Sequence, residues 1–181
     1  MESITKTVES FFRREGIKFE QAGHTGVLKI GFAGEHGCFL GYADTDEEKR
    51  TVHIQTILPV KAPRDKRLRV AELIARINQY LLIGNFELNM DSGLIGYKTS
   101  IMLGNGELLD DTIEHLLFGN WSATDRYFPA FNLVIFGDVQ PKKAVEMIRK
   151  RRVSVSDNDD DNETQKTPSP WLRDILGGSM N

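Results

Sequence analysis

The sequence predicts an α+β fold, in which an antiparallel sheet of about five strands is flanked by helices in the order α-β-β-β-α-β-β-α-α. Three observations predict this class. Apolar and polar residues alternate with a period of two in five segments. Those segments occur in runs of three and two and do not alternate with helices. Turn residues, several of them glycine, separate neighbouring segments within each run.

The first element is a predicted helix that begins near the N-terminus and stops at Gly16. Its apolar residues recur at helical spacing along one face: Ile4, Val8, Phe11 and Phe12. Glycine tolerates the left-handed backbone that commonly follows the last turn of a helix.

Three strands are predicted next, over residues 27–32, 38–43 and 50–60. The third alternates most clearly, since His53 and Gln55 lie on the face opposite to Val52, Ile54, Thr56 and Leu58. Short turns between the three segments predict an antiparallel meander. Pro59 has no backbone N–H to donate, so it predicts an edge strand or the end of a strand.

Residues 64–83 carry the strongest helical pattern. Asp65 is the predicted N-cap, Gly84 is the predicted C-terminal stop, and the apolar stripe consists of Val70, Ile74, Ile77 and Leu81. A hairpin follows, because alternating segments flank Asp91-Ser92-Gly93, a short connection that ends in glycine.

Two helices complete the domain. The first begins at Asp110 or Asp111 and keeps helical spacing as far as Phe131, although Pro129 predicts a kink or a restart. Pro141 suits the first turn of the second helix, whose inward residues are Ala144, Val145 and Ile148.

The composition divides the chain into three parts. Residues 1–152 form the predicted domain, residues 153–170 an acidic linker that we expect to be disordered, and residues 171–181 a short amphipathic motif. Residues 153–181 hold two cationic and six acidic residues, a net charge of −4, whereas the whole chain carries −3. The domain is therefore close to neutral, which argues against nucleic acid as its partner.

The cysteine and histidine content suggests neither a disulfide framework nor a metal site. The single cysteine, Cys38, cannot form an internal disulfide, and its strand position predicts a small core residue. The four histidines share no metal-ligand spacing, so we expect no metal and no cofactor. No secretory signal and no apolar run of membrane-spanning length occurs, which predicts a cytoplasmic protein without a membrane partner.

The strongest cationic cluster lies in the last predicted helix and comprises Lys142, Lys143, Arg149, Lys150, Arg151 and Arg152. Cations near a helix C-terminus complement the helix dipole, which would make this a solvated helix end. Two alternatives remain open. The cluster contacts phosphate groups, or it is an intramolecular contact for the acidic linker.

Four apolar residues near the C-terminus form a candidate partner-binding motif: Trp171, Leu172, Ile175 and Leu176. A helical turn that starts at Pro170 would place them on one face, and Gly177-Gly178 would end it after about two turns. A helix of that length is unstable alone. The motif therefore requires a surface, either on its own domain or on a partner.

The segment from "LPVKAPRDKRLRVAELIARINQYLLIGNFELNMDSGLIGYKTSIML" to "DRYFPAFNLVIFG" resembles the YbjN family, which is described as bacterial sensory-transduction regulators. The likeness lies in the order of "LPV", a helix, "G-x-F-E-L", a "D-x-G" hairpin and "R-Y-F-P-A". It implies a fold similar to type III secretion chaperones, which commonly dimerise and bind partner polypeptides. It implies no catalytic residues.

Residues and resemblance together predict a non-enzymatic, regulatory or chaperone-like module that binds another protein. Edge strands or an apolar groove would form the contact, and a homodimer is a further expectation. The alternative is a small-molecule sensor with a pocket between sheet and helices. No nucleophile or base accompanies the paired carboxylates Asp110 and Asp111, so we do not expect an enzyme.

Overall fold

The computed structural model describes residues 3–23 and 26–156, with side chains in the last helix as far as Lys150. The elements follow in this order: α1 Ile4–Arg14, β1 Phe19–Gln21, β2 Val27–Ala33, β3 Cys38–Asp46, β4 Thr51–Lys61, a 3₁₀ turn Arg64–Lys66, α2 Arg67–Asn78, β5 Asn85–Leu88, β6 Leu94–Met102, α3 Asp110–Ile135 and α4 Pro141–Ser156.

One antiparallel sheet contains all the described strands, in the spatial order β1-β2-β3-β4-β6-β5. The predicted α+β class and order are confirmed, with one addition. The sheet has six strands, because the three residues of β1 pair with β2. A strand of three residues is too short to produce a recognisable alternation.

The helices pack on one face of the sheet, and the core lies between them. The inward residues of β4 are buried, as predicted, while His53 and Gln55 lie half-buried on the opposite face. Helix α3 crosses β4 and β6, α2 packs beside β5, and α4 packs on both α2 and α3. The inward residues predicted for α1 and α4 are likewise buried.

Three local predictions were wrong. Cys38 is exposed, because Phe39 points into the core and its neighbours in β3 must point outward. Asp65 does not cap α2, since it lies inside the 3₁₀ turn and the helix begins at Arg67. Helix α2 ends at Asn78, six residues before the predicted stop at Gly84, and Gly84 instead leads into β5 with φ +75°.

Pro59 lies near the end of its strand, one of the two positions expected for it, and Pro129 does not interrupt its helix. Pro59 lies in β4, a central strand, at the end where β4 has passed its last pair with β3 and its register with β6 shifts. The missing N–H of Pro59 therefore removes no backbone hydrogen bond between β4 and β3. Helix α3 continues through Pro129, with buried residues on both sides of it such as Phe128 and Phe131. Packing of this face stabilises the helix where the proline removes a hydrogen bond.

Candidate functional site

A buried polar contact fixes α3 on the sheet. Asn120 is fully buried, and its side-chain amide donates to the carbonyl oxygens of Ile54, at 2.8 Å, and Tyr97, at 3.1 Å. Its oxygen accepts the Thr56 hydroxyl at 2.5 Å. Because these partners lie on β4 and β6, one side chain sets the position of the helix over both strands. The groove described next lies along the outer side of the same helical turns.

The apolar groove is a surface cavity of about 260 Å³ between α3 and the segment that joins α2 to β5. Its walls are formed by residues 80–83 on one side and by Phe118, Gly119, Ser122 and Ala123 on the other. Its exposed large apolar side chains are Leu82 at 97%, Tyr80 at 47%, Ile83 at 40% and Phe118 at 38%. Grouped exposed apolar side chains mark surfaces that bind other molecules.

Tyr97 holds the joining segment in place. Its hydroxyl donates to the carbonyl oxygen of Ile83, while its ring packs edge-on against Phe86. Burial, with a smaller contribution from Tyr127, raises the pKa of Tyr97 far above its usual value. The phenol therefore stays protonated and remains a donor throughout the physiological range. Gly84 then turns the chain into β5, where a side chain would collide with the Lys98 carbonyl oxygen.

The basic groove is a second cavity, of about 360 Å³, between α2 and α4. Of the predicted cationic cluster, Lys142, Arg149 and Lys150 line it, and α2 contributes Arg76. Lys143 is exposed and does not line the groove. Arg151 and Arg152 belong to α4, but their side chains lie outside the described residues. The structure therefore brings only part of the predicted cluster together, and it adds a cation that lies more than sixty positions earlier in the chain.

Tyr80 joins the two grooves. It lines both cavities, and the Arg149 guanidinium lies 3.9 Å from the centroid of its ring, a cation–π contact. The two grooves thus form one surface that is basic at the α4 end and mainly apolar at the α3 end, where His115 and Arg126 also line it.

The predicted partner-binding residues of the tail, Trp171, Leu172, Ile175 and Leu176, lie outside the described residues. Sequence reasoning also missed the apolar groove. A signal for it existed, since Leu82 and Ile83 are apolar but do not belong to the stripe of the preceding helix.

A candidate set of metal ligands occurs at the β2–β3 turn, where Glu35, His36 and Asp125 place one ligand atom each within 4.8 Å of one another. The Asp125 carboxylate already accepts the backbone N–H groups of Glu35, at 3.2 Å, and His36, at 2.8 Å. It also lies 3.2 Å from His36 Nδ1. These contacts tie the turn to α3 and account for the set without a metal.

The sheet edges offer less room for a partner strand than the sequence suggested. The backbone N–H and carbonyl oxygen of Phe86 in edge strand β5 bond to the side chain of Asn78, at 2.9 and 3.2 Å. That amide occupies the groups that an added strand would use. The other edge, β1, is three residues long.

Within residues 3–23 and 26–156, the structure contains no helix that combines the length and the apolar character needed to cross a membrane.

One family model matches most of the chain. The family model YbjN, described as "Putative bacterial sensory transduction regulator", matches residues 5–133, more than two thirds of the chain. Helix α4, and with it most of the basic groove, lies beyond this match. No curated protein matches the sequence.

Two solved structures are similar in fold. The crystal structure of YbjN from E. coli, titled a putative transcription regulator, is 11% identical, with 66% of this chain and 84% of that chain covered and a TM-score of 0.50. A chain of the HopA1–SchA chaperone–effector complex is 16% identical, with 66% and 89% covered and a TM-score of 0.47. The first likeness concerns the fold alone, and the second is too weak to support an inference.

Proposed function

The chain belongs to the YbjN family, and from that premise we propose that it is a non-enzymatic regulatory or chaperone-like module that binds another protein in the apolar groove. The partner segment would be amphipathic, with apolar side chains spaced along one face of a helix. Such segments bind where one protein offers an apolar channel beside a helix.

The exposure of the groove residues is the observation that carries this proposal. Leu82 is 97% exposed, and Ile83 and Phe118 are each more than one third exposed, although all three are apolar. The hydrogen bond from Tyr97 and the turn at Gly84 hold Ile83 at this position. A segment that is held in place while its apolar side chains remain in water is suited to bind a second surface with little ordering cost.

A polypeptide suits the groove better than a small molecule. Pockets for small molecules enclose most of the ligand surface, often 70–90% of it. Here the rim residue Leu82 projects almost entirely into solvent. A ligand that covers this rim must extend across the surface, as a helix does. The small-molecule sensor remains the alternative function, with the same groove as its site.

The absence of catalysis is part of the proposal. Large pKa shifts occur in the described residues at Glu47 and Tyr97, and both have structural causes. Partial burial opposes the ionised form of Glu47, but hydrogen bonds from residues 3–5 outweigh it and lower the pKa to about 2. This carboxylate binds the start of α1, and the Tyr97 phenol binds the groove segment. The Ser3 and Thr5 hydroxyls donate to Glu47 at 2.7 and 3.0 Å, where they fix the start of α1, and we assign no catalytic role to this carboxylate or to the Tyr97 phenol.

We further propose a cytoplasmic setting and a protein partner in place of nucleic acid, because the domain is nearly neutral overall. A second copy of the chain is an alternative occupant of the groove. Light scattering at several concentrations distinguishes a monomer from a homodimer.

The test pairs two leucines of similar exposure. Leu82 lies at the groove and Leu68 lies on α2 away from it, at 97% and 78% exposure. A protein captured by the full chain would be purified and titrated against both alanine variants. If Leu82 becomes buried on binding, its loss costs about 2 kcal/mol, or roughly thirtyfold in Kd. Leu68→Ala should leave Kd unchanged, and neither variant should change Tm.

Equal affinities of Leu82→Ala and the unaltered chain would reject the apolar groove as the binding surface. A metabolite screen by thermal shift addresses the alternative function. A ligand that raises Tm in the unaltered chain, but not in a Leu82→Ala and Phe118→Ala double variant, would favour the small-molecule sensor.

A further inference from the structure

We propose that the C-terminal segment of this same chain binds in cis across the two grooves, with the acidic residues 157–163 on the basic groove and Trp171–Leu176 in the apolar groove. The inference rests on the proposed function in one respect, since it assigns an occupant to the groove in which a partner binds.

The charges of the two surfaces are complementary. Residues 157–163 contain five carboxylates and neither lysine nor arginine. The basic groove presents Arg76, Lys142, Arg149 and Lys150, against the carboxylate of Glu146 in the groove and that of Glu72, which lies 2.7 Å from Arg76. An acidic segment that runs along this groove neutralises an excess of positive charge, and the interaction is long-ranged at low salt.

The order of features along the chain matches their order on the surface. Helix α4 ends at Ser156, seven residues after Arg149, which is about 10 Å along the helix axis. A chain that turns back at Ser156 therefore meets the basic groove first. Fourteen residues, 157–170, separate Ser156 from Trp171 and span up to ~50 Å when extended. The apolar groove begins at Tyr80, whose ring Arg149 contacts, so it lies within this reach.

The apolar motif and the apolar groove each supply what the other lacks. About two helical turns are unstable in water, so the motif orders only where its apolar face is covered. The groove holds exposed leucine, isoleucine and phenylalanine side chains in a fixed arrangement. Because the motif is tethered to α4, its effective concentration at the groove is of millimolar order, and even weak contacts keep it bound.

A bound tail makes the groove selective. A partner must displace Trp171–Leu176, so its apparent association constant equals the intrinsic constant multiplied by the fraction of molecules in which the groove is free. Conditions that weaken the acidic–basic contact, such as high salt, would then increase partner binding.

The experiment follows the indole of Trp171 in the full chain. Trp121 is buried in the core, so the fluorescence difference between the chain and a Trp171→Phe variant isolates the tail. Acrylamide is the quencher, since it is uncharged. We expect the quenching constant of Trp171 to be several-fold lower than that of a synthetic peptide of residues 157–181.

Two matched pairs of variants locate the contact. Leu82→Asp should raise the quenching constant of Trp171 toward the value for the peptide, whereas Leu68→Asp should not. Lys142→Glu should raise it as well, whereas Lys143→Glu, a neighbouring change of the same charge outside the groove, should not. All four positions are exposed, and circular dichroism and Tm verify that the variants fold.

Quenching of Trp171 in the unaltered chain at the rate of the free peptide would overturn the inference. Protection that disappears on serial dilution would also overturn it, because the tail would then occupy a second copy. The partner titration reports on the proposed function separately. A free tail with a Leu82-dependent partner rejects only this inference, and a docked tail with a Leu82-independent partner rejects only the proposed function.

Discussion

Replacement of Asn120 by leucine tests how helix α3, which forms one wall of the apolar groove, is held on the sheet. Leucine is similar in size to asparagine but makes none of its three hydrogen bonds, to Ile54, Tyr97 and Thr56. Each intramolecular hydrogen bond contributes about 1 kcal/mol, and a buried polar group left unpaired costs at least as much. Asn120→Leu should therefore lower the free energy of unfolding by about 3 kcal/mol. For a domain of this size, that corresponds to a fall in Tm of about 6–12 °C.

A double-mutant cycle separates the hydrogen bonds from the change in packing. Thr56→Val removes one of the three bonds and should cost about 1 kcal/mol in the unaltered chain. In the Asn120→Leu background the same change should cost close to nothing, because the acceptor is already absent. The assay is urea unfolding followed by circular dichroism, and the coupling free energy should be about 1 kcal/mol.

Two results would refute this reasoning. A loss of less than about 1 kcal/mol for Asn120→Leu would mean that the buried amide is replaceable by an apolar side chain, so other contacts hold α3. Additive effects of the two substitutions would mean that Thr56 and Asn120 do not interact across the core.

The other predictions concern the carboxylate that binds the start of α1 and the glycine that precedes β5. Glu47 has its pKa lowered from 4.5 to about 2, so the stability it contributes is present above pH 4.5 and is lost as pH falls toward 2. The full shift would equal about 3 kcal/mol, but because Glu47 is exposed we expect about 1 kcal/mol. The free energy of unfolding of Glu47→Gln should therefore fall less steeply between pH 4.5 and 2 than that of the unaltered chain. The same pH dependence of the free energy of unfolding in the variant would contradict this. Gly84→Ala should lower the free energy of unfolding by more than about 2 kcal/mol, since φ is +75° and the added methyl would lie 2.5 Å from the Lys98 carbonyl oxygen. Gly16→Ala is its control, because φ is +71° but the site is open, and urea unfolding should give only about 1 kcal/mol. Equal costs would show that the close contact at Gly84 relaxes.

The sequence carried enough information for most of the sheet and for the inward faces of the helices. In β4 the alternation of Val52 and Ile54 with His53 and Gln55 identified both the strand and its buried face. Such patterns are local, because a half-buried strand has to alternate at every step along the chain. The hairpin glycine Gly93 was likewise recognisable, and it has φ +76°.

The candidate site was less predictable because it depends on where elements pack. The apolar run at residues 80–83 was interpreted as the end of a helix, whereas α2 ends at Asn78. The side chain of Asn78 instead bonds the backbone of Phe86, a contact between residues eight positions apart. The sequence shows only that Leu82 and Ile83 fall outside the apolar stripe of the helix, and it does not show that they remain in solvent.

The cationic cluster shows the same limit. The cationic residues of α4 are recognisable in the sequence, but helical geometry directs neighbouring residues to different sides, so Lys142 at the start of the helix lines the basic groove and Lys143 does not. Arg76 joins them from α2 because the two helices pack together. The hydrogen bonds from Asn120 to β4 and β6 could not be predicted, since a polar residue within an apolar helix is also compatible with an exposed position.

The central claim is that a partner polypeptide binds in the apolar groove, and a map of chemical-shift changes in the isotopically labelled full chain tests it most directly. On titration with a purified partner, we expect the largest changes at Leu82, Ile83 and Ala123, which line the groove. Changes concentrated at Leu40 and Ile57, on the open face of the sheet, with the groove signals unmoved, would contradict the account.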